Sequence, residues 1–140
     1  MSQWLRRRYD VCIIALLAYI PLLLSAPGKL PADTKLYLYL NPGRLLSDAA
    51  WTWDTGQLGG WVPHQNVGYL WPTGPWFAFF EWLNVPDWIA HRLWLGSLLI
   101  IAGLGARWLA KILDLPVNSA FIAGIAFQLS PYVLPYISRT

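Results

Sequence analysis

The chain has 140 residues, of which 56% are hydrophobic and only 12% charged, and it carries ten tryptophans. Ordinary soluble domains hold about 25% charged residues, so this balance excludes one and places the chain among membrane proteins. The net charge of +3 is less informative than its placement. Arg6, Arg7 and Arg8 directly precede an apolar run, which is the positive-inside pattern rather than a nucleic-acid patch. Cys12 is the single cysteine, so there is no disulfide framework, and within an apolar run it reads as a small core hydrophobe.

Residues 9–26 form the first expected span. They are apolar apart from Tyr9, Asp10, Tyr19, Pro21 and Ser25, and as a helix they cover ~27 Å, enough to cross. A cleaved signal peptide is the rival reading, but Pro27 follows Ala26 and no A-x-A site is present, so an uncleaved anchor is preferred. Pro21 kinks its outer end.

Residues 27–86 form an outward segment punctuated by Pro27, Gly28, Pro31, Pro42, Gly43, Gly56, Gly59, Gly60, Pro63 and Gly68. The spacing predicts short surface helices over 34–39, stopped by Pro42 and Gly43, and over 44–53. The run WPTGPWFAFFEWL over 71–83 is too short to cross and reads as interfacial or re-entrant. Most tryptophans here suit an aromatic belt, with a minority available as sugar-stacking platforms.

A second span is expected over 87–107, opened by Pro86 and Asp87. Gly96, Ala102, Gly103 and Ala106 offer close helix packing, and Arg107 and Lys111 share a side with the arginine triplet. After a tight turn at Asp114, a third span is expected over 117–137. It contains Gln128, and Pro131 and Pro135 break its outer end. Arg139 then falls on the outer face. The chain ends close to apolar sequence and is expected to be the N-terminal part of a longer protein. The fold class is all-α, a polytopic membrane helical bundle of about three spans with an outer loop bearing surface helices.

The stretch 33–64 concentrates the groups able to do chemistry. It holds Asp33, Asp48 and Asp54 out of seven carboxylates, with His64. Asp33 follows the first span closely, at the level where a lipid-linked phosphate–sugar bond would lie. A glycosyl transfer there needs a base for the acceptor hydroxyl and cations for the leaving phosphate. Asp33 is the base candidate, and Lys35, Arg44 and Arg139 are candidate phosphate partners. Asp48 and Asp54 could bind acceptor hydroxyls or a cation, against the plainer reading that they cap and solvate the loop. On residues alone, Asp33 is itself open to that plainer reading. His64 has no second histidine or cysteine nearby, which disfavours a metal role. His91 beside Arg92 reads as an interface anchor, and Glu81 as the wet side of its segment. No internal repeat, nucleotide-binding glycine loop or zinc-type cluster is present.

The layout of one span, an outer loop with an early aspartate and then closely spaced spans resembles the GT-C class of glycosyltransferases. The strings DTKLYLYLNP, LLSDAAWTWD, GWVPHQNVGYLWPTGPWFAFFEWLNVPDW and QLSPYVLPYISRT are similar to the N-terminus of actinobacterial cell-wall α-(1→3)-arabinofuranosyltransferases of the AftD type. Members of that family are far longer. The resemblance implies a multi-pass plasma-membrane enzyme whose active site faces outward. It implies a decaprenyl-phosphoryl arabinofuranose donor, arabinan acceptors and inversion at the transferred sugar, with Asp33 as base. It implies neither a nucleotide nor a nucleic-acid partner, and it leaves a divalent cation open. A non-catalytic membrane scaffold or transporter segment is the alternative.

Overall fold

A computed structural model describes residues 3–30, 40–48, 51–53, 55, 59–60, 62 and 71–133, with side chains from Tyr9 onward. Every regular element among them is α-helical: α1 Gln3–Leu24, α2 Pro42–Asp48, α3 Thr73–Trp82, α4 Asp87–Ile112 and α5 Val117–Gln128. The chain divides into two compact units. One comprises Met1–Pro31 with Arg92–Thr140, and the other Ala32–His91.

The first unit holds α1, α5 and most of α4. Its core is a stripe on each helix. On α1, Ile14, Ala18 and Leu22 are buried at intervals of four; on α5, Ala120, Gly124 and Gln128 repeat that interval. On α4 the buried positions are Arg92, Gly96, Leu99, Gly103, Arg107 and Ala110, spaced four, three, four, four and three. That alternation keeps one seam of a helix against its neighbours.

α1 and α4 are antiparallel in a tight register. Arg107 meets Asp10, Gly103 meets Ile14, Gly96 meets Tyr19 and Arg92 meets Ser25. Small residues make this possible. A Cβ at Gly96 would overlap the Tyr19 ring. One at Gly103 would lie 3.1 Å from Ile14 Cγ2, and one at Gly124 only 2.7 Å from the Gly103 carbonyl oxygen. Of the four residues expected to allow close packing, Gly96 and Gly103 do so, while Ala102 and Ala106 are half-buried.

The outer surfaces of these helices are apolar. Ile13, Leu16, Ile20 and Leu24 on α1, Ile101, Trp108 and Ile112 on α4, and Ile122 and Phe127 on α5 are all exposed. Apolar groups on both sides of a helix are the pattern of a membrane segment. α4, with 26 residues, is long and apolar enough to cross a bilayer; Tyr9–Leu24 and Val117–Gln128 are shorter apolar helices. Cys12 is exposed rather than in the core, because its position on α1 lies well round the helix from the Ile14 stripe.

Where a third span was expected over 117–137, the described helix is Val117–Gln128, and 131–133 form a turn closed by Val133 N–H to Ser130 O at 3.0 Å. Pro131 accounts for this. It supplies no N–H, and it disfavours helical geometry at Ser130.

In the second unit α2 packs on α3, with Pro42 fully buried and Phe77 only 3% exposed. Trp76 Nε1 donates to the Ala90 carbonyl at 3.1 Å, fixing α3 to the first turn of α4. The Trp76 and Phe80 ring centres are 4.9 Å apart. α3 and α4 end alike. Val85 N–H reaches Phe80 O and Asn84 N–H reaches Glu81 O; Leu115 N–H reaches Ala110 O and Asp114 N–H reaches Lys111 O. Asn84 (φ 55°) and Asp114 (φ 58°) are left-handed, which makes each end a Schellman motif, and a proline follows two residues later.

Candidate functional site

α2 carries two of the residues singled out in the sequence. The Asn41 side chain caps it by accepting from Arg44 N–H at 2.9 Å, and Pro42 occupies the first helical position, where its missing N–H costs nothing. The helix expected over 44–53 therefore begins earlier, at Pro42, and ends at Asp48. Pro42 and Gly43, expected as stop signals, open it instead. Arg44 Nε and Asp48 Oδ2 are 3.3 Å apart, one turn along the helix, with side chains 71% and 61% exposed. At such exposure the pair is worth about 0.3–0.5 kcal/mol. The structure thus brings Arg44 and Asp48 together as a mutually neutralised pair on the surface. Asp33, Lys35, Asp54, His64 and Arg139 lie outside the described residues. Among the described residues no group of three His, Cys, Asp or Glu side chains could hold a metal.

Several exposed indoles flank this region: Trp51, Trp53, Trp71 and Trp82. Trp53 differs in having its ring laid on Gly60, where a side chain would collide with it. Gly60, with φ 115°, takes a backbone conformation that favours glycine. Trp53 is still 54% exposed, and an indole backed on one side and open elsewhere can stack on a sugar ring. Glu81 is exposed, as expected for the wet side of α3.

The polar groups that sequence reasoning passed over lie inside the first unit. Asp10, an ordinary-looking acid within an apolar run, pairs with Arg107 at 2.6 Å, with side chains only 14% and 8% exposed. Arg107, expected as a charge marking one side of the membrane, is part of the bundle interior. Gln128 is fully buried and donates through Nε2 to the Ile14 carbonyl at 3.0 Å.

His91 and Arg92, expected as interface anchors, are 4% and 0% exposed. Arg92 Nη2 donates to the carbonyls of Ser25 at 3.4 Å and Lys29 at 3.3 Å. These two carbonyls bracket the turn through which the chain leaves α1. In that turn Lys29 N–H bonds the Ala26 carbonyl at 3.2 Å, and Pro27 precedes Gly28, whose φ is 77°. Proline followed by a left-handed glycine is the sequence of a type II turn. A guanidinium at the carbonyl end of α1 also meets the negative end of the helix dipole. The signal for Arg92 was available: it begins the four-and-three spacing that Gly96, Leu99 and Gly103 continue.

A helical bundle apolar on its outer faces, with charges paired inside it and a clamped turn opening onto a tryptophan-rich segment, has the architecture of a membrane glycosyltransferase domain of the GT-C class. Residues 17–140 match the family model described as alpha-(1->3)-arabinofuranosyltransferase, N-terminal GT-C domain, and the chain belongs to that family. It is 38% identical over 111 residues to the alpha-(1->3)-arabinofuranosyltransferase of Mycobacterium tuberculosis (strain ATCC 25618 / H37Rv), covering 79% of this chain and 8% of that protein. The same identity and coverage hold for the enzyme of Mycolicibacterium smegmatis (strain ATCC 700084 / mc(2)155). The chain therefore spans less than a tenth of the length of these relatives. The cryo-EM structure of arabinofuranosyltransferase AftD from Mycobacteria superposes with a TM-score of 0.84 at 33% identity, covering 94% of this chain and 10% of that one. A variant of the same protein gives 0.85 at 33% identity, over 95% and 11%.

Proposed function

We propose that this chain is the N-terminal membrane portion of an enzyme that moves arabinofuranose from a polyprenyl-phosphate donor onto cell-wall arabinan through an α-(1→3) linkage. The observation that carries the reading is the family match across 17–140, supported by a helical fold shared with AftD at 33% identity. In this reading spans over 9–26, 87–107 and 117–137 cross the plasma membrane, and the segment 27–86 faces outward with the active site.

Asp33 acts as general base. It takes the proton of the acceptor hydroxyl as that oxygen attacks the anomeric carbon and the polyprenyl phosphate leaves from the opposite side, inverting the centre. Lys35 and Arg139 stabilise the departing phosphate, and Asp54 contacts acceptor hydroxyls. Arg44 and Asp48 contribute less, since each already has the other as partner.

A transfer assay on the complete protein, with a polyprenyl-phosphoryl arabinofuranose donor and an arabinan acceptor, tests this. Asp33→Asn should lower turnover by about a hundred- to ten-thousandfold with donor binding retained. No transfer by the wild-type protein, or full turnover by Asp33→Asn, would refute the enzyme reading or the choice of base respectively.

A further inference from the structure

We propose that Arg92 is a positioning residue for the transfer reaction: from inside α4 it sets the geometry of the turn that launches the Asp33 segment. The proposal rests on the functional reading above. Arg92 is completely buried, yet one nitrogen makes both of its hydrogen bonds, to the Ser25 and Lys29 carbonyls. Nε and Nη1 have no hydrogen-bond partner, and no ion pair among the described residues includes this guanidinium. A buried cation so sparingly satisfied is a poor device for stability, because desolvation exceeds what two bonds return. What those bonds do is specific. They hold the residue before the turn and the residue that closes it, so the turn at Ala26, Pro27 and Gly28 is fixed from both sides by a third helix.

The turn needs such support. Ala26 has φ 39°, a left-handed conformation that alanine adopts only at a cost. Asp33 lies four residues beyond Lys29, so its Cα is at most ~14 Å from that of Lys29. With so short a tether, a tilt of the turn displaces the base, and a misplacement of about 1 Å can cost about a hundredfold in rate.

Three variants of the complete protein test this: Arg92→Met, Arg92→Lys and Gly28→Val. Methionine keeps length and apolar bulk without the donors. Lysine restores a cation able to reach one or both carbonyls. Gly28→Val perturbs the turn independently, since no atom lies within 4 Å of its missing Cβ and only the backbone at φ 77° is strained. Arg92→Met should lower kcat by about tenfold to a hundredfold with donor KM little changed. Amides of the 25–30 turn should exchange faster while those of α1 and α4 do not. Arg92→Lys should recover part of the loss. Gly28→Val should give the same kcat signature, and its combination with Arg92→Met should be no worse than the more severe single change.

Normal kcat in folded Arg92→Met overturns the proposal. So does a rise in donor KM at constant kcat, which would make Arg92 a donor contact. Failure of all Arg92 variants to accumulate would assign the residue to folding alone and also overturn it. Asp33→Asn measured in parallel separates the two readings. An inactive Asp33→Asn beside a normal Arg92→Met sinks only the positioning role. Absence of transfer in the wild type sinks the function, and the positioning role with it.

Discussion

Arg107 and Asp10 sit 97 residues apart in sequence and 2.6 Å apart in space, joined through Nη2 and Oδ2 in the interior of the helical unit. Removing one partner of a buried pair strands the other charge, which typically costs about 3–5 kcal/mol. Asp10→Ala should therefore destabilise the protein on that scale in thermal unfolding in detergent. The double change Asp10→Leu with Arg107→Met should recover most of the loss. Single and double variants of equal stability would mean that the pair is not buried in the folded protein.

The glycines of the bundle are not equivalent, and alanine separates them. Gly124→Ala would bring its Cβ to 2.7 Å from the Gly103 carbonyl, a backbone atom that cannot rotate away. A loss of about 1–3 kcal/mol should follow from overpacking. Gly105, on the same helix as Gly103, has nothing within 4 Å, so Gly105→Ala should gain up to about 1 kcal/mol from helix propensity. Unfolding midpoints moving in opposite directions would confirm the contrast.

On α2 the effects should be small and ordered. Arg44→Gln removes an exposed pair and should cost no more than about 0.5 kcal/mol. Asn41→Ala removes the cap and should cost about 0.5–2 kcal/mol. Asp48→Asn should leave transfer within a few-fold of wild type while Asp33→Asn abolishes it. Loss of transfer in Asp48→Asn equal to that in Asp33→Asn would move the chemistry to α2.

The proposed topology is tested by labelling single cysteines in intact cells. Cys12 is exposed, so Cys12→Ser is the necessary background. Gly60→Cys should react with an impermeant thiol reagent from outside, and Lys111→Cys only after permeabilisation. Reaction of both from one side would exclude the arrangement.

Much of the helical framework was legible because apolar runs and prolines are local signals. The start of α4 at Asp87, the turn at Asp114 and the close-packing roles of Gly96 and Gly103 all follow from them. What was not legible depends on partners distant in sequence. Nothing near Asp10 indicates Arg107, and nothing near Arg92 indicates Ser25 and Lys29. Pro42 was misread for a different reason. Proline both stops one helix and opens another, and the Asn41 that precedes it was the cue that decides between them.

The pairing of α1 with α4 has a kinematic consequence. Asp10, Ile14, Tyr19 and Ser25 are matched to Arg107, Gly103, Gly96 and Arg92, so contact runs the length of both helices with a polar clasp at each end. A slide of one turn, ~5.4 Å, would part both clasps at once and drive the Tyr19 ring off its glycine. Piston motion between these helices is closed off, and they travel as one strut. Whatever movement accompanies a cycle of substrate entry and release has to be taken up at joints elsewhere in the molecule.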